Sequence, residues 1–361
     1  MKTMKYSMYS LLLLAFISIW GSSCKKQIAN DIQSDAFGLA AGKNNEPRFA
    51  DNNMVMYWNE KAAIVLNGPF TPPAQERYFA MIQIAVHDAL NAIKPKYESF
   101  AMTTIRSQHA NADAAVAAAA YWSIKKMGLA STFPVDNWYA VSLNSIPDGE
   151  SKELGKTLGM QSADAIIGNR ANDNFEQANV QVPRPDGINP GAYKSTLPFS
   201  NPGLPKIKAL HQWGLLMKPF VTESNYQFRP EAPYALNTPQ YLADYNEVKT
   251  KGARVNHTRT ADESEIGIFW VERATIGWNR FARNIIMSKK LDAWKTARLF
   301  ALLHTAMTDG TSGCFEAKYY YLYWRPETAI RLGDNDGVPA TIGDATWLPS
   351  NTEGPNPLTH S

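Results

Sequence analysis

The chain has 361 residues, of which 45% are hydrophobic and 19% are charged, and its formal net charge is +3. That length and apolar content are enough for one large core or two smaller ones. The small net charge, without a basic stripe or an acidic tail, excludes a general nucleic-acid-binding surface or an acidic partner recognised by bulk charge.

The first 24 residues have the pattern of an export signal. Lys2 and Lys5 precede an apolar run at 11–20, which is too short to span a bilayer, and three small residues then lead to Cys24. A cysteine in that place resembles a bacterial lipoprotein signal, in which the cysteine is lipidated and becomes the mature N-terminus. We therefore predict a lipoprotein export signal at 1–24, with an ordinary secretory signal as the alternative.

The polar residues 25–52 have the composition of a flexible tether. Together with the signal they predict an exported lipoprotein, periplasmic or at the cell surface of a Gram-negative-type bacterium, anchored by lipid because no second long apolar run exists. The only other cysteine is Cys314. If Cys24 carries lipid, no disulfide can form, and we expect Cys314 to be a small buried core residue.

Residues 53–361 read as one mainly helical domain. Apolar residues recur at three- and four-residue spacings over 74–93, and an alanine-rich helix that suits close packing follows a cap at Asn111 or Asp113. The pattern predicts further helices at 58–66, 150–167, 239–251, 263–274, 278–287, 291–307 and 315–323. Few segments alternate with a period of two, so we predict an all-α bundle with little β structure.

A long irregular region interrupts the helices between about 172 and 233, where proline, glycine and asparagine are frequent. A short helix is predicted within it near 210–217. Loops of this length are often walls or lids of a site, although a surface insertion without a role is the alternative. Near the C-terminal end, Gly310 and Gly313 are expected to break the chain before the helix at 315–323.

The common nucleotide-binding, zinc-protease and serine-hydrolase motifs are missing from the sequence, and its six histidines do not cluster at metal-ligand spacing. His87 and His304 fall within helical patterns and are predicted to be hydrogen-bonded core residues. His211 and His257 fall near loops, where a site is within reach.

Lys318 and Arg325 carry the clearest chemical pattern. They flank six residues, five of them aromatic, and Pro326 follows. Seven positions make two helical turns, so the spacing predicts both cations on one buried face of a helix. Buried cations need an anion, because unpaired buried charge is costly. Arginine and lysine together suit a phosphate-like oxyanion, and ordinary carboxylate partners are the alternative.

The segment Ala-Lys-Tyr-Tyr-Tyr-Leu-Tyr-Trp-Arg-Pro-Glu-Thr-Ala-Ile-Arg at 317–331, with Trp347-Leu-Pro downstream, resembles the first signature motif of a known superfamily. This is the vanadium-dependent haloperoxidase and type 2 phosphatidic acid phosphatase superfamily, and the likeness is to its bacterial haloperoxidase-like branch. Residues 58–59 and 77–89 are similar to that branch's opening helices. The resemblance implies a helical bundle of the haloperoxidase/acid phosphatase type, in which Lys318 and Arg325 bind the equatorial oxygens of vanadate or phosphate.

The superfamily's second motif is Pro-Ser-Gly-His, and its third, roughly Ser-Arg-x5-His, supplies the histidine that binds vanadium or attacks phosphorus. In this sequence Pro357 and His360 have the second motif's spacing without its Ser-Gly, which makes His360 the candidate acid/base. The third motif is absent from the sequence. We therefore expect missing C-terminal helices, no vanadium-ligating histidine and an impaired site, through a frameshift, an early stop or degeneration.

The resemblance implies vanadate as the cofactor, with halide and hydrogen peroxide, or a phosphate ester, as the small-molecule partners. Three functions stay open: a haloperoxidase, an acid phosphatase acting on phosphate monoesters, and a non-catalytic lipid-anchored helical scaffold. A membrane is the expected partner of the anchor, nucleic acid is not an expected partner, and a homodimer is left open.

Overall fold

Helices dominate the part of the chain that the computed structural model describes, namely residues 54–68, 70–196 and 209–350. In chain order they are α1 (Met54–Leu66), α2 (Pro72–Ile93), α3 (Ala112–Lys126), α4 (Val135–Asn144), α5 (Glu150–Asn169), α6 (Phe175–Ala178), α7 (Trp213–Leu216), α8 (Pro239–Lys251), α9 (Ala261–Phe269), α10 (Ala274–Lys289), α11 (Ala293–Tyr321) and α12 (Pro326–Arg331). Two three-residue strands, β1 (Gln181–Pro183) and β2 (Ala209–His211), pair antiparallel. The predicted all-α architecture is confirmed.

Helix α2 lies at the centre of the bundle. Nearly every residue from Pro73 to Ala92 is buried, because α2 packs against α3, α5 and α11 on different sides. At its C-terminal end the carboxylate of Asp88 accepts hydrogen bonds from the backbone N–H groups of three consecutive residues, 100–102, at 2.7–2.9 Å. The core helix thereby fixes the loop that leads to α3.

The alanine-rich helix α3 packs closely against α5, as predicted. Asn111 caps α3 by accepting a hydrogen bond from the Ala114 N–H at 2.9 Å. The partner positions on α5 are Gly155 and Gly159, and a Cβ at Gly159 would overlap the Ala115 carbonyl oxygen and lie 2.6 Å from the Ala118 Cβ. Small residues on both helices are therefore required at this contact.

Helix α11 has 29 residues and runs through both Gly310 and Gly313. The predicted break between 307 and 315 is wrong. A glycine inside a helix costs only about 0.5–1 kcal/mol relative to alanine, and the packing of α11 on α2 and α7 outweighs that cost. Burial of Phe300 and the stacking of His304 on Phe79, with ring centroids 4.4 Å apart, form part of this packing.

Three further differences concern helix limits. The structure contains α4, which the sequence did not predict; only Val135 and Ser142 of that helix are buried, so its apolar pattern is weak. Helix α5 continues to Asn169 rather than ending before Gly168. Helix α9 begins with the predicted cap, in which the side chains of Thr260 and Glu263 each accept a hydrogen bond from the other residue's backbone N–H. It ends five residues earlier than predicted.

Two histidines behave as predicted. His304 is fully buried, with its Nε2 3.1 Å from the Asn279 Oδ1, and burial lowers its pKa to about 3, so the ring is neutral. His87 is buried and contacts the Asn91 side chain and the carbonyl oxygen of Glu98. Among the described helices, none has the length and apolar character required to cross a membrane.

The glycine contact between α3 and α5 is directly testable. We expect Gly159→Ala to lower the free energy of unfolding by about 1–3 kcal/mol, because the added methyl group forces the two helices apart. Gly310→Ala is the control: that glycine lies inside α11 with open space around its Cβ position, so alanine should raise stability by about 0.5–1 kcal/mol. Urea unfolding followed by circular dichroism measures both. Equal effects of the two substitutions on the free energy of unfolding would contradict a close contact between α3 and α5 at Gly159.

Candidate oxyanion site

Lys318 lies in the last turn of α11, with its Nζ 5.4 Å from the centroid of the Phe315 ring. Burial lowers its pKa to about 8, and the neighbouring positive charge of Arg325 acts in the same direction. Among the residues that the structure describes, no carboxylate forms an ion pair with this ammonium group. Lys318 is therefore a half-buried cation that the charge of Arg325 acts on and that no described carboxylate neutralises.

Arg325 is not on the same helix as Lys318, so the predicted shared helical face is wrong. Helix α11 ends at Tyr321, Leu322 has left-handed backbone angles with φ of 47°, and Arg325 is the extended N-cap of α12. The physical reason is Pro326, because proline disfavours a helical conformation in the residue before it. The two cations are neighbours because the chain turns between them.

The Arg325 guanidinium is only partly satisfied. One nitrogen, Nη1, donates to the hydroxyl of Thr196, while the buried Nε has no hydrogen-bond partner within the described ranges. Burial raises the pKa of Glu327, and the charges of Arg331 and Arg325 oppose that rise, but the Glu327 Oε1 accepts its hydrogen bond from Arg331, at 2.9 Å. The alternative of an ordinary carboxylate partner for the two cations is thus not seen in this part of the chain.

The irregular region supplies one wall of the site. We call residues 186–196 the strap, because they lie along the 322–325 connector between α11 and α12. The Tyr193 N–H donates to the Leu322 carbonyl at 2.6 Å, and the Trp324 N–H donates to the Gly191 carbonyl at 2.9 Å. Of the two interpretations of the long loop, a wall of the site and a surface insertion, the first fits this segment.

Known proteins that resemble this chain are similar to it in the segment that carries Lys318 and Arg325. A family profile described as the VCPO second helical-bundle domain matches residues 298–361, which include both cations. The vanadium chloroperoxidase of Curvularia inaequalis is 26% identical over 376 residues, covering 85% of this chain and 61% of that protein. These likenesses support the vanadium haloperoxidase superfamily as the family that this chain resembles. The chain spans about three fifths of the length of that curated relative.

Solved structures support the haloperoxidase fold. A structure described as the first bacterial vanadium-dependent iodoperoxidase has a TM-score of 0.61 and 22% identity, covering 78% of this chain and 72% of its own. An apo-type bacterial vanadium-dependent chloroperoxidase has a TM-score of 0.57 and 15% identity, covering 79% and 70%. At these identities the likeness concerns the fold.

The donor set fits the oxyanion cofactor of a haloperoxidase. Vanadate and phosphate carry several acceptor oxygens and negative charge, and they need donors that no protein carboxylate already occupies. Lys318 and the Arg325 Nε are such donors in the described structure. No group of three or more histidine, cysteine, aspartate or glutamate residues able to hold a metal ion occurs in the same ranges.

The aromatic run of the haloperoxidase motif serves mainly to pack the connector. Trp324 is buried in a cluster with Tyr241, Tyr245, Ile330 and Trp347. The Trp347 Nε1 donates to the carbonyl oxygen of Lys249 at 3.0 Å. The downstream Trp-Leu-Pro segment therefore links α8 to the cluster in which Trp324 is buried.

Three other predicted residues have different outcomes. Cys314 is exposed rather than buried, because it lies on the outward face of α11, one turn before Lys318. His360 and Cys24 lie outside the described residues. Thr196 was not predicted as a site residue. The residues around Thr196 form no motif, and the only signal was the length of the irregular region, which is typical of a wall of a site.

The pKa of Lys318 makes anion binding depend on pH. Sulfate keeps its charge from neutral to alkaline pH, so any change in its affinity over that range reports the protein. In the free protein Lys318 loses its proton above a pKa of about 8, and bound anion favours the protonated form. We expect sulfate affinity to fall by up to about tenfold for each pH unit above pH 8, measured by calorimetry.

The control for this titration is Lys318→Arg, since a guanidinium stays charged throughout the range. Its sulfate affinity should change little between pH 7 and pH 9. Parallel curves for the wild-type protein and this variant would show that another group controls binding.

Proposed function

We propose that this chain binds vanadate through Lys318 and Arg325 and, with vanadate bound, oxidises halide with hydrogen peroxide, at a site that its motifs lead us to expect to be impaired. The observation that carries the proposal is the pair of adjacent, half-buried cations, neither of which forms an ion pair with a described carboxylate. Similarity to the vanadium chloroperoxidase of Curvularia inaequalis and to the VCPO second helical-bundle domain supports the choice of reaction.

Each cation has a distinct task in this proposal. Thr196 holds one nitrogen of the Arg325 guanidinium and leaves Nε to bind an oxygen of the anion. Lys318 adds a point charge, and partial burial strengthens both interactions because less water screens them. Bound vanadate would supply the electrophilic centre that activates peroxide. The Lys318 ammonium, with a pKa of about 8, can hold or release a proton near neutral pH.

The proposal also assigns His360 as an acid/base group, on its sequence position alone. Phosphate-ester hydrolysis is the second reaction that the same donors would serve, since phosphate and vanadate present similar oxygens. Anion binding without turnover is a third candidate. It is favoured by the arrangement of three histidines, His87, His211 and His304, whose ring nitrogens contact groups other than the two cations.

Removing either cation should weaken anion binding. We expect Lys318→Ala and Arg325→Ala each to reduce vanadate affinity by about tenfold or more, because each removes a charged donor. Thermal-shift titration with vanadate and with phosphate measures this effect. Lys156→Ala is the matched control: that lysine forms an ion pair with Glu153 on the exposed face of α5 and should leave the affinity unchanged.

Activity assays of the same proteins separate the three functions. Vanadate-dependent bromide oxidation that is lost in both variants supports the haloperoxidase. Hydrolysis of a chromogenic phosphate ester, inhibited by vanadate, supports the phosphatase. Saturable binding without either reaction supports a binding role. Absence of vanadate and phosphate binding by the folded wild-type protein would refute the proposed site.

We further propose that Cys24 is lipidated after export and holds the domain at a membrane of a Gram-negative-type cell, on the periplasmic or outer side. The support is the sequence pattern of residues 1–24. The structure does not describe this segment.

Fatty-acid labelling in a Gram-negative host tests the anchor. Cys24→Ser should remove the label and shift the protein from the membrane fraction to a soluble fraction. Cys314→Ser replaces the other cysteine, which is exposed on α11, and should keep both the label and the membrane fraction. Labelling that survives Cys24→Ser would disprove lipidation at that residue.

A further inference from the structure

Tyr193 occupies a fixed place in the strap, beside the connector that carries Arg325. Its backbone N–H donates to the Leu322 carbonyl at 2.6 Å, and its own carbonyl accepts from the Gly187 N–H at 2.7 Å. Its neighbour Ala192 forms a β-bridge with Tyr323. These backbone bonds therefore fix the position of the Tyr193 Cα relative to the connector.

The Tyr193 hydroxyl is buried and unsatisfied. The residue is only 6% exposed, and its hydroxyl has no hydrogen-bond partner among the described residues. A buried donor without an acceptor costs free energy, so such groups usually have a reason in packing or in a ligand. An anion in the adjacent site would supply the missing acceptor.

Two of the three charges that act on the Tyr193 hydroxyl are positive. Burial raises the pKa of Tyr193; the charges of Arg325 and Arg184 oppose that rise, and the charge of Asp186 adds to it. Tyr193 also influences Tyr319, the residue next to Lys318 on α11. The neighbouring acid, Asp186, accepts hydrogen bonds from the Ser195 N–H and hydroxyl at 2.7 and 2.6 Å. The Tyr193 side chain is thus close enough to Arg325 and to Tyr319, the residue after Lys318, for their charges to act on one another.

We infer that the Tyr193 hydroxyl donates a hydrogen bond to the tetrahedral oxyanion held by Lys318 and Arg325. The strap then contributes a binding side chain of its own, in addition to positioning Arg325 through Thr196. This inference rests on the proposed oxyanion site.

Tyr193→Phe tests the inference with two readouts on the full chain. Affinities for sulfate and for vanadate should each fall about tenfold, the size expected for one hydrogen bond to a charged acceptor. The melting temperature without anion should stay the same or rise, because the lost hydroxyl had no protein partner. A residue with only a structural role would lower the melting temperature and leave affinity unchanged.

The matched control is Tyr121→Phe, the same substitution on α3, where the hydroxyl donates to Asp136 at 2.7 Å. It should leave both affinities unchanged. Wild-type binding combined with equal binding by Tyr193→Phe overturns the role of Tyr193 and leaves the proposed function intact. If the folded wild-type protein binds neither anion, the proposed site and this inference both fall.

Discussion

Repulsion between Lys318 and Arg325 is the constraint on which the rest of the site depends. Two like charges in a half-buried setting would separate or turn towards water unless the surrounding structure prevented it. The depressed pKa of Lys318 shows that the repulsion and the burial are both present. The domain must therefore hold the two residues from independent directions, Lys318 through a long packed helix and Arg325 through the elements around the connector.

Irregular segments of the domain are held by hydrogen bonds to acceptors on its helices. On α11, the Asp309 carboxylate accepts from three consecutive backbone N–H groups, at residues 220–222, with distances of 2.7–2.9 Å. Asp88 does the same for residues 100–102. The strap adds backbone bonds to the connector. A loop without regular structure thus has a fixed position, because its backbone polar groups form hydrogen bonds to side chains on rigid helices.

Periodicity in the sequence was sufficient to predict the core helices, and the aromatic run between two cations indicates the candidate site. The limits of the helices were predicted less well, because local signals compete with tertiary packing there. Gly310 and Gly313 are weak helix formers, but packing along α11 offsets their small cost, so the helix continues through them. Pro326 has the opposite effect: it restricts Arg325 to an extended conformation, so two helices meet where the spacing predicts one. The strap contacts join residues more than 120 positions apart and leave no local pattern.

Because the chain turns at Leu322, the length of the six-residue interval between the cations sets the orientation of one relative to the other, which helical periodicity alone does not explain. Lys318 is oriented by the phase of α11, while Arg325 is oriented by the strap and by the start of α12. One residue inserted before Leu322 would rotate Lys318 by about 100° around the helix axis and leave Arg325 in place. The interval should therefore tolerate changes of side chain far better than changes of length, and alignments of related chains should show no gaps within it.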